Sequence, residues 1–168
     1  SGPRNSIAIT SPSTAATLTI TGQGVTLRNL LCGTGTGGAS GVIVQGDSFT
    51  ASGCYFSGDA NSAGIALNLL PTAASGVTAS LGLIEDCEIA WALKGVALNQ
   101  VASAVTETTI QRCRFHNCAN YCIGEETVHS CVDLIIQDCT FVRMADDSEP
   151  AVYYLDLNHG GADSNTCL

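Results

Sequence analysis

Basic residues are scarce: six Lys and Arg in 168 residues, Lys94 being the one lysine, against fifteen Asp and Glu, for a formal net charge of −9. Holding a phosphate backbone takes clustered cations, so this balance argues against nucleic acid as a partner. Long apolar runs are missing too. None approaches the roughly 18 to 20 residues that span a bilayer, and the first residues have neither the basic start nor the apolar run of a signal peptide. No membrane insertion is expected. Charged residues make up 12 %, about half the usual share, while 45 % are hydrophobic. Such a chain can bury apolar surface and lacks the charge that keeps disordered chains expanded.

Familiar chemical motifs are also absent. There is no Gly-x-Ser-x-Gly elbow, no P-loop, no His-Glu-x-x-His and no dinucleotide-binding Gly-x-Gly-x-x-Gly in context. The Gly-rich run from Gly33 to Gly38 leads into a strand rather than a helix N-terminus, so it reads as a turn and not an anion cradle. No cofactor is expected. One composition regime runs through the chain, which gives a single domain over 1–168, with a repeat core at about 7–157 and an irregular tail at 158–168. The start Ser1-Gly2-Pro3, without an initiator Met, reads as that of a fragment or a processed product.

What the sequence does contain is a repeat. An apolar residue, two mostly polar ones, a Cys or Leu, any residue and another apolar one recur at Leu27–Cys32, Ala51–Phe56, Ile84–Ile89, Ile110–Phe115 and Ile136–Phe141. The fourth position falls at 30, 54, 87, 113 and 139, at intervals of 24, 33, 26 and 26. A second phrase, a short alternating strand, lies between these copies and starts at Leu18, Val42, Ile65, Val96, Cys122 and Val152. Gly22 and Gly46 each follow its first residue by four. Helical periodicity is conceivable only around Ala90 to Ala104, where the strand phrase at Val96 to Leu98 outweighs it. One such repeat cannot bury an apolar face, but stacked coils bury a continuous column. The expectation is an all-β, parallel β-helix of five to six coils.

The phrases Ile84–Ile89 and Ile136–Phe141, with the strands Gly41–Val44 and Gly95–Leu98, make the chain resemble the right-handed parallel β-helices of pectate-lyase-like proteins and phage tailspikes. The resemblance covers about residues 7–157. It implies a homotrimer if the chain is a tailspike segment, and catalysis through carboxylates, Ca2+ or basic residues on one face if it is a polysaccharide lyase or glycosidase.

Equivalent positions of adjacent coils lie about 4.8 Å apart, so Cys54, Cys87, Cys113 and Cys139 should form one stack with Leu30 at its end, beside a stack of Phe56, Ile89, Phe115 and Phe141. Neighbouring thiols on parallel strands lack the tetrahedral arrangement zinc requires, which favours a row of small buried hydrophobes over a metal ladder. Cys118, Cys122 and Cys131 with His116 and His129 hold metal-binding residue types within sixteen positions. They have no close Cys-x-x-Cys pair, so one disulfide or plain burial is favoured over zinc. No metal site is expected.

One position before the Cys stack stand Gly53, Asp86, Arg112 and Asp138, which should place Arg112 between two carboxylates, while Glu88 faces Arg114. Asp86 and Asp138, two coils apart, would be about 9.6 Å from each other, at the upper edge of the range of about 6.5 to 9.5 Å for an inverting pair of carboxylates. A cation fixed between them depresses both pKa values, so outward ion-pair ladders are the favoured reading.

Interruptions of the repeat leave the column and build binding edges. Asn68 to Ser80 is uncharged. Gly124 to Asp133 holds Glu125, Glu126, His129 and Asp133, and Val142 to Pro150 holds Asp146 and Asp147. Glu125, Glu126, Asp146 and Asp147 are the candidate catalytic carboxylates, and Asp146 and Asp147 could alternatively hold Ca2+. Trp91, Asp86, Arg112, Asp138 and His129 are the candidate substrate-binding residues, Trp91 as a sugar-stacking platform or as a contact to a neighbouring chain. The function expected is a structural, host-surface-glycan-recognising domain of a phage or prophage tailspike, a homotrimer located in the virion tail or at an extracellular surface. The alternatives are a polysaccharide-degrading enzyme of the pectate-lyase-like class and a non-catalytic carbohydrate-binding module.

Overall fold

The computed structural model describes residues 7–11, 16–34, 40–58, 64–71, 79–80, 82–99, 105–125, 131–142 and 153–156. The first coil holds β1 (Ile7–Ser11), β2 (Leu18–Ile20) and β3 (Thr26–Arg28), and the second β4 (Leu30–Thr34), β5 (Val42–Val44) and β6 (Thr50–Ser52). The third runs through β7 (Tyr55–Ser57), β8 (Ile65–Leu69), β9 (Ala79–Ser80) and β10 (Leu83–Glu85). In the next two coils the first pair of strands is continuous: β11 (Glu88–Leu98), β12 (Val105–Thr106) and β13 (Thr109–Gln111), then β14 (Arg114–Glu125), β15 (Cys131–Val132) and β16 (Ile135–Gln137). The strands β17 (Thr140–Val142) and β18 (Tyr153–Asp156) follow.

Each strand pairs in parallel with its counterpart one coil away, giving three sheets. Ten strands form the first; β3, β6, β10, β13 and β16 stack in that order as the second; β9, β12 and β15 form the third. The fold is a parallel β-helix without helices among the described residues. About four full turns separate β3 from β16, slightly fewer than the phrase count suggests, because β17 and β18 add strands to the first sheet alone.

Single left-handed residues turn the chain between sheets. Asn29, Gly53, Asp86, Arg112 and Asp138, all at φ between 51 and 64°, mark the corner from the second sheet into the first. Gly24, Ser48, Glu107 and Asp133 mark the corner into the second sheet, and Trp91 and Asn117 bend β11 and β14 in mid-strand. Left-handed backbone costs an ordinary L-residue about 1–2 kcal/mol, least for Gly, Asn and Asp. Those types hold four of the five positions at the first corner; Arg112 is the exception.

The corners fix which side chains point inward. Leu27, Ala51, Ile84, Ile110 and Ile136 line one wall through the pairings of the second sheet. Cys32, Phe56, Ile89, Phe115 and Phe141 line the next, with the Phe115 and Phe141 rings stacked at 5.1 Å and 14°. Leu18, Val42, Leu67, Val96, Ile123 and Leu155 complete the column. Burying each large aliphatic or aromatic side chain stabilises by about 1.5–3 kcal/mol.

The pairings on either side of the first corner align Cys54, Cys87, Cys113 and Cys139, as expected. Each thiol donates to the carbonyl two residues back, at 3.6 Å for Cys54, 3.2 Å for Cys87, 3.3 Å for Cys113 and 3.4 Å for Cys139. A small apolar side chain with a weak donor thus suits the position just after a left-handed corner.

The second phrase is in register at its first step, Leu18 with Val42, and out of register at later ones. Val42 pairs with Leu67, not Ile65, and Val96 with Ile123, not Cys122; Ile123 in turn pairs with Leu155, not Val152. The shift in β14 is a bulge: Ala92 pairs with Cys118 but Lys94 with Tyr121, so the later strand carries one extra residue. The Asn68 to Ser80 interruption does not wholly leave the column. Asn68 and Leu69 belong to β8 and are buried, and Ala79–Ser80 forms an edge of the third sheet.

Candidate functional site

The outer surface at the first corner carries two hydrogen-bonded sets of side chains. In one, the Arg112 guanidinium forks onto Asp86, Nε to Oδ1 at 2.9 Å and Nη2 to Oδ2 at 3.0 Å, while Nη2 also reaches Glu85 at 2.7 Å. Gln111 donates to Glu85 at 3.0 Å and Gln137 to Gln111 at 2.6 Å. These groups follow one another along three successive coils because Glu85, Gln111 and Gln137 are in register. The bonds from Arg112 hold the Asp86 carboxyl below its ordinary range, and both carboxylates raise the Arg112 pKa further. Arg112 turns to one side only. It stands between Asp86 and Asp138 in the corner row, as expected, and its guanidinium pairs with Asp86 and Glu85.

Two residues along the same coils lies the second set. Glu88 and Arg114 are in register and pair at 3.6 Å. The Glu88 Oε1 is also 2.6 Å from His116 Nε2, a diagonal contact across the strand pair. The His116 ring meets Trp91 edge to face, with centroids 6.5 Å apart and planes at 82°. On the coil before, Tyr55 is in register with Glu88; burial first and the carboxylate second push its hydroxyl pKa up. Trp91 is 49 % exposed.

Of the nine candidate site residues, Asp86, Arg112 and Asp138 stand at one corner, and Trp91 is on the same side two strand positions beyond Ile89. Glu126, His129, Asp146 and Asp147 lie outside the described residues, as does the tail at 158–168. Glu125 does not sit in a solvated acidic loop. It ends β14 and is 7 % exposed, in register with Leu98, whose row runs back through Leu69, Val44 and Ile20. Its carboxyl therefore takes a wall position that aliphatic side chains hold in the four earlier coils. Glu88, Arg114 and His116 are the surface residues that spacing alone did not join into a site; their signal is the two-residue offset that makes diagonal neighbours on one sheet face.

The cysteine clusters divide. Cys118 and Cys122 are buried and free, and the Cys118 thiol lies 3.8 Å from the His116 carbonyl. Gly95 makes room for them, since a Cβ there would collide with the Cys122 carbonyl and lie 3.2 Å from the Cys118 sulfur. His116 is turned to Glu88 instead of joining them. Within the described residues no group of three or more His, Cys, Asp and Glu is placed to hold a metal ion, and no helix is long and apolar enough to cross a membrane.

In comparison with known proteins, the chain matches no family model, no curated protein and no solved structure.

Proposed function

We propose that this chain is a glycan-recognising β-helix domain of a phage or prophage tail protein, working as a homotrimer on the virion and binding a polysaccharide of the host surface. The observation that carries the reading is the outer corner, where polar side chains repeat coil after coil in fixed hydrogen-bonded order beside an exposed indole. A rigid row of donors and acceptors spaced by about 4.8 Å along an axis suits an extended polymer whose hydroxyls recur along its own length. Groups already held by neighbours lose little freedom when a ligand arrives. The virion location and the trimer rest on the resemblance of the turn phrases to those of tailspikes.

The degradative alternative needs a carboxyl able to give up a proton. Asp86, held ionised by Arg112, is unsuited to that role.

The test is binding of the purified chain to immobilised bacterial surface polysaccharides, with reducing ends assayed in the same samples and mass measured by light scattering. Saturable binding without cleavage, and a mass near three times 17.2 kDa, is the expected result. Release of reducing ends would move the protein to the degradative class. A monomer that binds nothing would overturn the reading.

A further inference from the structure

We infer that Trp91, His116, Glu88 and Arg114 form a subsite for one neutral pyranose unit of a glycan. This deepens the reading above and rests on it.

Trp91 is the one tryptophan of the chain, and its backbone is left-handed, at φ 51°. That region is poor for a bulky aromatic residue. One coil on, the equivalent position holds Asn117 at φ 57°, a residue type that adopts the conformation readily. The corner therefore has no need of an indole, and the indole fills no part of the core. What it offers is an exposed ring whose π face attracts the weakly positive C–H groups of a sugar.

Around the ring, the polar groups are positioned in series. His116 stands perpendicular to the indole, Glu88 fixes His116, and Arg114 faces Glu88. Glu88 and Arg114 remain 42 % and 55 % exposed. Arg114 and His116 both meet Oε1 of Glu88; a carboxylate and a guanidinium have more acceptor and donor positions than these contacts use, and vicinal sugar hydroxyls need one of each. The charge arrangement selects against acidic sugars. Arg112 is forked onto Asp86 and Glu85, Arg114 faces Glu88, and these three carboxylates outnumber the two arginines on a chain of net charge −9. A uronic acid or sialic acid would have to displace a carboxylate against that field.

The experiment is affinity electrophoresis of the full chain through gels containing a neutral polysaccharide (dextran, glycogen or galactomannan) or an acidic one (polygalacturonate or hyaluronate). The variants are Trp91→Asn, Trp91→Phe and His116→Gln, and the emission of the single tryptophan is followed during titration with the matching oligosaccharides. A neutral polymer should retard the chain and change the indole emission. Trp91→Asn should weaken retardation about tenfold with an unchanged far-UV spectrum, while Trp91→Phe and His116→Gln lose less. Retardation by acidic polymers alone, or equal retardation of Trp91→Asn, would overturn the subsite and leave glycan recognition standing. Retardation by none of the polymers would overturn both.

Discussion

Arg112 and Asp86 occupy the same left-handed corner one coil apart, and the guanidinium of the first forks onto the carboxylate of the second through two bonds of 2.9 and 3.0 Å. The pair explains how an arginine is accommodated where Gly, Asn and Asp fill the other positions. It also gives the corner a pH dependence. A carboxyl whose folded pKa is lowered contributes stability above its unfolded value and loses it as pH falls through the folded one. For Asp86 that loss begins near the ordinary value of 3.8 and continues below it. Urea midpoints should therefore fall more steeply with acid in the parent than in Arg112→Asn, and differ little at neutral pH, where an exposed pair contributes little. Equal slopes would show that the fork does not act on Asp86 in solution.

Phe115 stacks on Phe141 and is in register with Ile89. Phe115→Ala should cost about 3–5 kcal/mol in urea denaturation. A loss under 1 kcal/mol would mean that the coils close around the missing ring.

Gly46 is fully packed against the preceding coil, where a Cβ would collide with the carbonyl of Gly22. The colliding atoms are backbone of Gly22 and Thr21, so no flexible side chain can move aside. Gly46→Ala should destabilise by about 1–3 kcal/mol, whereas Gly22→Ala, whose Cβ would meet the Val25 side chain at an ordinary 3.5 Å, should have a much smaller effect. Thermal melting of the two variants checks the contrast.

Along the thiol row, Cys87 is pushed well up by hydrogen bonds with Cys113 and Cys54 and by burial, and in the neighbouring row burial pushes Cys32 up to about 11. Cys139, only half-buried, lies at the end of the row. Reaction needs access as well as thiolate. Burial raises the Cys139 thiol too, but Cys139 is half-exposed where Cys87 and Cys32 are buried. Iodoacetamide at pH 8 should therefore label Cys139 before those two when the order is read by mass spectrometry. Early labelling of Cys87 would contradict the packing of the column.

At the Trp91 corner, Trp91→Asn should raise stability by about 0.5–1 kcal/mol, because asparagine tolerates left-handed backbone better than tryptophan does. A lower melting temperature would show that the indole packs the fold after all.

The first phrase was legible because a corner of fixed length separates its two inward positions: Ile84, Cys87 and Ile89 keep the same spacing as Ile110, Cys113 and Phe115. Nothing comparable fixes the second phrase. The chain between Phe56 and Leu67 differs in length from that between Cys32 and Val42, and the bulge after Cys118 shifts the pairing by one residue, which strand alternation does not reveal. The third sheet escaped because strands of two residues, such as Val105–Thr106, carry no periodicity. At the corner, register placed Arg112 beside both Asp86 and Asp138, but a long side chain chooses its direction from local bonds, here those to Glu85. Glu125 was misplaced because an acidic residue next to Glu126 reads as solvated, while its strand position puts it in an aliphatic row.

The steps from Ile84 to Ile110 and from Ile110 to Ile136 are both 26 residues and land on the same wall in the same register. On that wall a unit of 26 residues is a whole rung, and the extra residue of the bulge in β14 is absorbed within the coil before the next wall position is reached. Gene duplication of such a unit would lengthen the shaft by a rung and keep the second-sheet wall in phase, so the length of this domain can be adjusted in evolution without redesigning that wall.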